Sequence, residues 1–199
     1  MKNIILGTQS PRRVTILRMF SLPFQQYSSS YHEPEPTSNE TPVRYALKTA
    51  QEKGKELTQR FPDAIIITAD TVVFAKDQIL GKPKTPEAAF QTLRMLSGQW
   101  HSVFTGLAVS GMGLCFSDVE ETRVLFNPLS DAEIKHYLSA LHCWDKAGAY
   151  AIQGSGGLAI QKIEGCFYNT MGLPINTLRK LMQHFEIELW DYLSESPQP

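Results

Sequence analysis

Short apolar runs alternate with longer stretches in which apolar residues recur every three or four positions, a pattern that predicts strands interleaved with helices and so an α/β domain. Ile4 to Leu6 reads as a buried strand, followed by a helix with Ser10 as N-cap and Pro11 at its first position. Residues 28–41, rich in Ser, Tyr, His, Glu and Pro, read as a loop. A second helix starts at Thr41-Pro42 and turns Val43, Ala46, Leu47, Ala50, Gly54 and Leu57 to one face. Ala64 to Ala69 is a strand, and Thr71 to Phe74 continues or pairs with it before a turn at Lys76-Asp77. A third helix, capped by Thr85 with Pro86 first, buries Ala89, Phe90, Leu93 and Leu96 and stops at Gly98. His101 to Val109 and Val119 to Phe126 read as strands, the latter setting Thr122, Val124 and Phe126 against Arg123 and Leu125. Ser130-Asp131-Ala132-Glu133 is a capping box that opens a helix with Ile134, Tyr137, Leu138 and Leu141 inward. Tyr150 to Ile163 is glycine-rich with apolar flanks, and a last helix runs from about Pro174 to Phe185. One domain is expected over residues 1–193, with 194–199 a disordered tail.

Composition narrows the function. At 199 residues and 42% apolar content the chain can bury one substantial core or two small lobes without a disulfide or structural metal. With 19 basic and 20 acidic residues, net −1, it does not read as a binder of nucleic-acid polymers or of membrane surfaces. Any site for a polyanion must be a local cluster of cations. Ile4 to Leu6 ahead of Pro11 and two arginines does not make a signal peptide, and the longest later apolar run, Ala64 to Ile67, falls far short of the roughly 20 residues of a membrane span. A soluble, cytoplasmic protein is the expectation. Cys115, Cys143 and Cys166 are widely spaced, with no C-x-x-C or Cys/His ligand pattern, which predicts a reduced compartment, buried inert thiols and no zinc. His32, His101, His136, His142 and His184 show no metal-ligand spacing either.

The candidate chemistry lies in scattered short segments. Ser10-Pro11-Arg12-Arg13 puts two cations in a first helical turn, where each is unfavourable by some tenths of a kcal/mol unless an anion is expected. Backbone N–H groups beside two guanidinium forks would grip a phosphate; a solvated surface pair is the alternative. Asp70 stands where the apolar run Ile65 to Ala69 ends, placed as a metal ligand or a general base, or simply to cap a turn. In Gly81-Lys82-Pro83 the proline keeps Lys82 extended and gives its ammonium a fixed direction. Lys53 sits at the border of its helix's apolar stripe and can snorkel toward a cleft. Glu33 is a second loop carboxylate, solvated if taken alone. Gln153 could read donor and acceptor atoms of a base edge, or make an ordinary loop hydrogen bond. No G-x-x-x-x-G-K-[ST] loop, no G-x-G-x-x-G after the first strand and no G-x-S-x-G elbow is present. Scattered cations with two carboxylates suit metal-assisted phosphoryl or nucleotidyl chemistry.

In order along the chain, Leu6-Gly7-Thr8-Gln9-Ser10-Pro11-Arg12-Arg13, Glu33, Lys53, Ala69-Asp70-Thr71-Val72-Val73, Gly81-Lys82-Pro83, the unbroken run Asp145 to Gly154, and Gly172-Leu173-Pro174 resemble the motifs of the Maf family of nucleoside triphosphate pyrophosphatases. Departures fall at Gly7 and Thr8 (Ala and Ser in the pattern), His32 (Asp), Gly54 (Ala) and Met171 (Val). The resemblance implies a Maf- or ITPase-like α/β fold: an elongated mixed sheet flanked by helices, two lobes with a cleft between, often as a homodimer. It implies hydrolysis of a nucleoside triphosphate to the monophosphate and pyrophosphate with a divalent cation, Mg²⁺ or Mn²⁺. Asp70 would be the catalytic carboxylate, activating water or holding the metal that does, and Glu33 would assist as a second carboxylate and candidate metal ligand. Ser10, Arg13, Lys53 and Lys82 would hold phosphates. Arg12, Thr71 and Gln153 are similar to the branch acting on dTTP and UTP, not to the branch acting on 7-methyl-GTP, where an aromatic residue, Gln and Glu are the usual occupants. A neutral Gln153 suits uracil and thymine, which present acceptors flanking one N–H. Competing readings are the same chemistry on a modified nucleotide, and a nucleotide-binding regulator of cell division without turnover.

Overall fold

The computed structural model describes residues 2–37, 39–143 and 146–194. Seven strands form one sheet: β1 (Asn3–Gly7), β2 (Gln25–Tyr27), β3 (Ala64–Ala75), β4 (Gln78–Leu80), β5 (Trp100–Gly111), β6 (Leu114–Phe126) and β7 (Ile160–Glu164). Their order is β2-β1-β3-β5-β6-β7, with β4 beside β3. β1 runs parallel to β2 and β3 and every other pairing is antiparallel, so the sheet is mixed and the expected α/β class stands. The helices are α1 (Pro11–Leu17), α2 (Pro42–Arg60), α3 (Pro86–Leu96), α4 (Asp131–Leu141), α5 (Phe167–Thr170) and α6 (Ile175–Gln183).

Strand alternation assigns each helix to a face. On β3, Ile65, Ile67 and Ala69 join the core made with α1 and α6, and Val73 and Ala75 join a second core made with α3 and α4. The intervening even positions turn the other way: Ile66 packs with Leu57, and Val72 with Tyr45 and Ala46, all of α2. Local chemistry starts the helices as expected. Thr41 and Thr85 accept from the backbone of Arg44 and Ala88, and Ser130 and Glu133 complete the capping box. Lys76-Asp77 and Met112-Gly113 have positive φ at both positions, the geometry of tight two-residue hairpins.

Several expectations need correction. Val43 is exposed, because the inward stripe of α2 runs through Tyr45, Ala46, Thr49, Ala50, Gly54 and Leu57 instead. Ser10 occupies the N-cap of α1, but its side chain makes no capping hydrogen bond. Cys115 is exposed at the start of β6, and only Cys143 of the three thiols is fully buried. No apolar pattern marks β2, whose three residues are all exposed, or the partly exposed edge strand β7. Asp145 and most of the 194–199 tail lie outside the described residues. Among the described residues no helix is long and apolar enough to cross a membrane.

His101 supplies a pH test of this fold. It lies buried in β5, with Nε2 2.9 Å from the Tyr150 hydroxyl and its ring edge-on to Phe126. Burial pushes its pKa down from 6.5 to about 4, so the folded protein keeps the ring neutral. The unfolded chain therefore takes up a proton near pH 6.5 that the folded chain refuses until near pH 4. Stability from this group is full above pH 6.5 and is lost as pH falls toward 4, by roughly 3 kcal/mol in all. Urea unfolding between pH 7 and 4.5 should show a shallower acid slope in His101→Phe than in the wild type. Parallel slopes would contradict a buried neutral imidazole.

Candidate active site

β1 pairs with β3 only as far as Thr68, and β4 covers β3 only from Val73 to Ala75. Residues 69–72 thus have β5 on one side and, among the described residues, no strand on the other. A pocket of about 780 Å³ opens over this gap. Ser10, Arg12, Arg13, Glu33, Lys53, Asp70, Thr71 and Lys82 all line it. They arrive from the turn after β1, the first turn of α1, the loop before α2, α2, β3 and the loop after β4. Gln153 is exposed and sits one residue beyond Ile152, which does line the pocket.

Asp70 faces α2. Its partner across the β3–β5 ladder is Gly106, and a Cβ there would stand 2.3 Å from the Ala46 carbonyl oxygen. Glycine therefore lets α2 lie close against β5 and brings Lys53 over the carboxylate. Lys53 Nζ donates to Asp70 Oδ1 at 2.8 Å and pairs with Glu33 Oε1 at 2.6 Å. Lys53 and Asp70 side chains are only 12% and 9% exposed, so the ion pair is largely desolvated, whereas the Glu33 side chain is 44% exposed. Burial alone would raise the Glu33 pKa. The charge and hydrogen bond of Lys53, with Lys82 and Arg13 behind, hold it below the usual carboxylate range. Tyr45 anchors the Glu33 loop by donating to the Pro34 carbonyl at 2.9 Å. Burial, then the negative charges of Asp70 and Glu33, push this phenol up to about 12, so it remains a donor.

Thr71 points to the opposite face. There Arg13 donates through Nε to the Gly172 carbonyl at 2.7 Å and through a terminal nitrogen to Thr71 Oγ1 at 2.9 Å. Burial lowers the Arg13 pKa, with Asp70 acting the other way. Gly172 has φ +98°, and a Cβ there would stand 3.2 Å from Arg13 Nε, so this glycine leaves room for the guanidinium. Arg12 is half-buried, and its Nε is buried without a hydrogen-bond partner. Lys82 is exposed at the rim. Sequence reasoning passed over Tyr45, which anchors the Glu33 loop, and Gly172, whose carbonyl accepts from Arg13. Gly172 stood within a quoted motif, while a lone tyrosine on a helix carries no local signal.

The donor set suits a hard divalent cation. Two carboxylate oxygens from separate segments converge on one ammonium, so a region of concentrated negative charge is held open by protein. Among the described residues no group of three or more His, Cys, Asp or Glu is placed to hold a metal, so Asp70 and Glu33 are the two carboxylates this site could offer one.

A family model described as "Maf-like protein" matches residues 3–185. The chain is 41% identical over 191 residues to a protein named "dTTP/UTP pyrophosphatase" from Chlamydia felis, covering 96% of this chain and 97% of that one. It is 39% identical over 194 residues to one of the same name from Caldicellulosiruptor bescii, covering 95% and 98%. A further relative so named, from Chlamydia trachomatis serovar D, is 40% identical over 191 residues, covering 96% and 97%.

Proposed function

The chain belongs to the Maf family, and on that premise we propose that it hydrolyses dTTP and UTP to the monophosphate and pyrophosphate. The observation that carries the chemistry is Lys53 bridging Asp70 and Glu33 in a pocket also lined by Arg12, Arg13 and Lys82. Such a site matches a substrate that is a polyanion at one end and a neutral base at the other. Related proteins carrying the same name over nearly their full length support the choice of nucleotide.

In this reading Asp70 takes a proton from water as the water oxygen bonds to the α-phosphorus. The bond from that phosphorus to the bridging oxygen breaks, and pyrophosphate leaves with the electron pair. Arg13, Lys53 and Lys82 bind phosphate oxygens and offset the charge that develops. Ser10 adds a polar group at the start of α1. Asp70 and Glu33 would hold the divalent cation, magnesium or manganese. Its chemistry there would be to offset part of the negative charge of the triphosphate. Arg12, whose buried Nε has no acceptor in the protein, and Gln153 are assigned to recognition of the base.

A panel of dTTP, UTP, CTP, GTP, 7-methyl-GTP and 5-methyl-UTP with Mg²⁺ or Mn²⁺ tests the proposal. Pyrophosphate release should be fastest with dTTP and UTP. Orthophosphate alone, or tight binding without turnover of any triphosphate by folded protein, would overturn it.

A further inference from the structure

The phosphate-holding guanidinium is fixed by a hydrogen-bond relay running inward from the pocket wall. Arg13 donates to Thr71 Oγ1 at 2.9 Å, Thr71 Oγ1 lies 2.9 Å from Thr105 Oγ1, and Thr105 donates to the Asn169 carbonyl at 3.2 Å. Thr71 and Thr105 are direct cross-strand partners on β3 and β5. Thr105 is fully buried (0% exposed), between the core that takes in Ala69 and Leu107 and the core that takes in Val73 and Val103. Asn169 is equally buried, and its side-chain amide donates to the Val103 carbonyl at 3.0 Å and to Thr122 Oγ1 at 3.0 Å, tying the far end of the relay to β5 and β6.

A guanidinium can only donate and a backbone carbonyl can only accept. With all three contacts made at once, Thr105 gives its proton to the Asn169 carbonyl, which also accepts from the Gly172 N–H, so the proton between the two threonines comes from Thr71, and Thr71 receives its own hydrogen bond from Arg13. The Thr71 hydroxyl therefore has no proton left to offer a nucleotide. Its influence on the reaction runs through the placement of Arg13.

We propose that Thr105 is a positioning residue for the reaction: through Thr71 it sets the orientation of the Arg13 guanidinium toward the phosphate chain. This rests on the reading of Arg13 as a phosphate-holding group. Removing the Thr105 hydroxyl leaves the Thr71 proton without an acceptor. Thr71 then rotates to satisfy it and withdraws the oxygen that Arg13 needs. Valine has nearly the shape of threonine, so Thr105→Val keeps the strand packing, and Thr105→Ser retains the relay.

The test is calorimetric binding of the non-hydrolysable α,β-methylene analogue of dTTP with Mg²⁺, compared with binding of thymidine, alongside kcat and KM for dTTP. Thr105→Val should weaken the analogue about tenfold, leave thymidine unchanged and lower kcat/KM for dTTP, and Thr105→Ser should restore wild-type values. In an Arg13→Ala background Thr105→Val should add nothing. Equal loss of thymidine and analogue binding, additive losses in the double variant, or wild-type binding by Thr105→Val would each overturn the relay. If Arg13→Ala itself binds the analogue normally, the phosphate role of Arg13 fails first, and the relay falls with it.

Discussion

Asp70→Asn is expected to lower the rate of pyrophosphate release from dTTP by about 10³-fold while KM changes by no more than a few-fold, since a positioned acid or base contributes 10²–10⁴. Asparagine keeps the shape of the side chain and removes only its charge and its proton affinity. Both are needed, whether the carboxylate takes the proton from water or holds the cation. Arg13 and Lys82, proposed above to hold the phosphates, are untouched, so ground-state binding should persist. Stability should fall as well, because Lys53, itself 12% exposed, loses the better buried of its two carboxylate partners and keeps only the more exposed Glu33 at 2.6 Å. Stopped assays across dTTP concentrations, with urea unfolding as a control, would check this. A variant retaining kcat within tenfold of wild type would remove Asp70 from the catalytic role.

How much of this site could be read from the chain follows from what each part depends on. Strand and helix positions came from periodicity, and Thr41, Thr85 and Ser130 announced their helices because capping is a local matter settled within three residues. The two arginines stood out because they sit at the wrong end of a helix for cations, whereas Glu33 reads as solvated when taken alone and gained a role only through the resemblance to the family's motifs. Their mutual geometry was not readable. Asp70 and Thr71 are neighbours in sequence, yet the two-residue period of β3 sends them to opposite faces, one to Lys53 and the other to Arg13. The gap that exposes them exists because β1 stops pairing at Thr68 and β4 covers β3 only from Val73 to Ala75, a matter of register that no segment reveals alone. The acceptor that locks Arg13 is a backbone carbonyl 159 residues away. Val43 was misplaced for a related reason: near the start of α2 the buried stripe is set by the Tyr45 contact with the 28–41 loop, which periodicity cannot see.

Lys53→Met carries the second large effect, and it separates a resting role of the lysine from a catalytic one. In the folded protein a single ammonium neutralises two carboxylates, one of them nearly buried. Taking away one member of a buried ion pair leaves an uncompensated charge, at a cost of about 3 kcal/mol, or roughly 10 °C in melting temperature for a chain of this size. The Asp70 pair supplies most of that, since the more exposed Glu33 is screened by water. A divalent cation occupying the same negative region would meet no competing ammonium in the variant. Millimolar Mg²⁺ should therefore raise the melting temperature of Lys53→Met by several degrees more than that of the wild type, because an ion that binds only the folded state stabilises it by mass action. Turnover should stay low even with the stability restored, because the lysine is also the cation nearest Asp70 when phosphate oxygens arrive. Equal magnesium responses in the two proteins would place the cation away from Asp70 and Glu33. Recovered turnover at saturating Mg²⁺ would mean that Lys53 serves the resting carboxylates alone and that its assignment as a phosphate ligand is wrong.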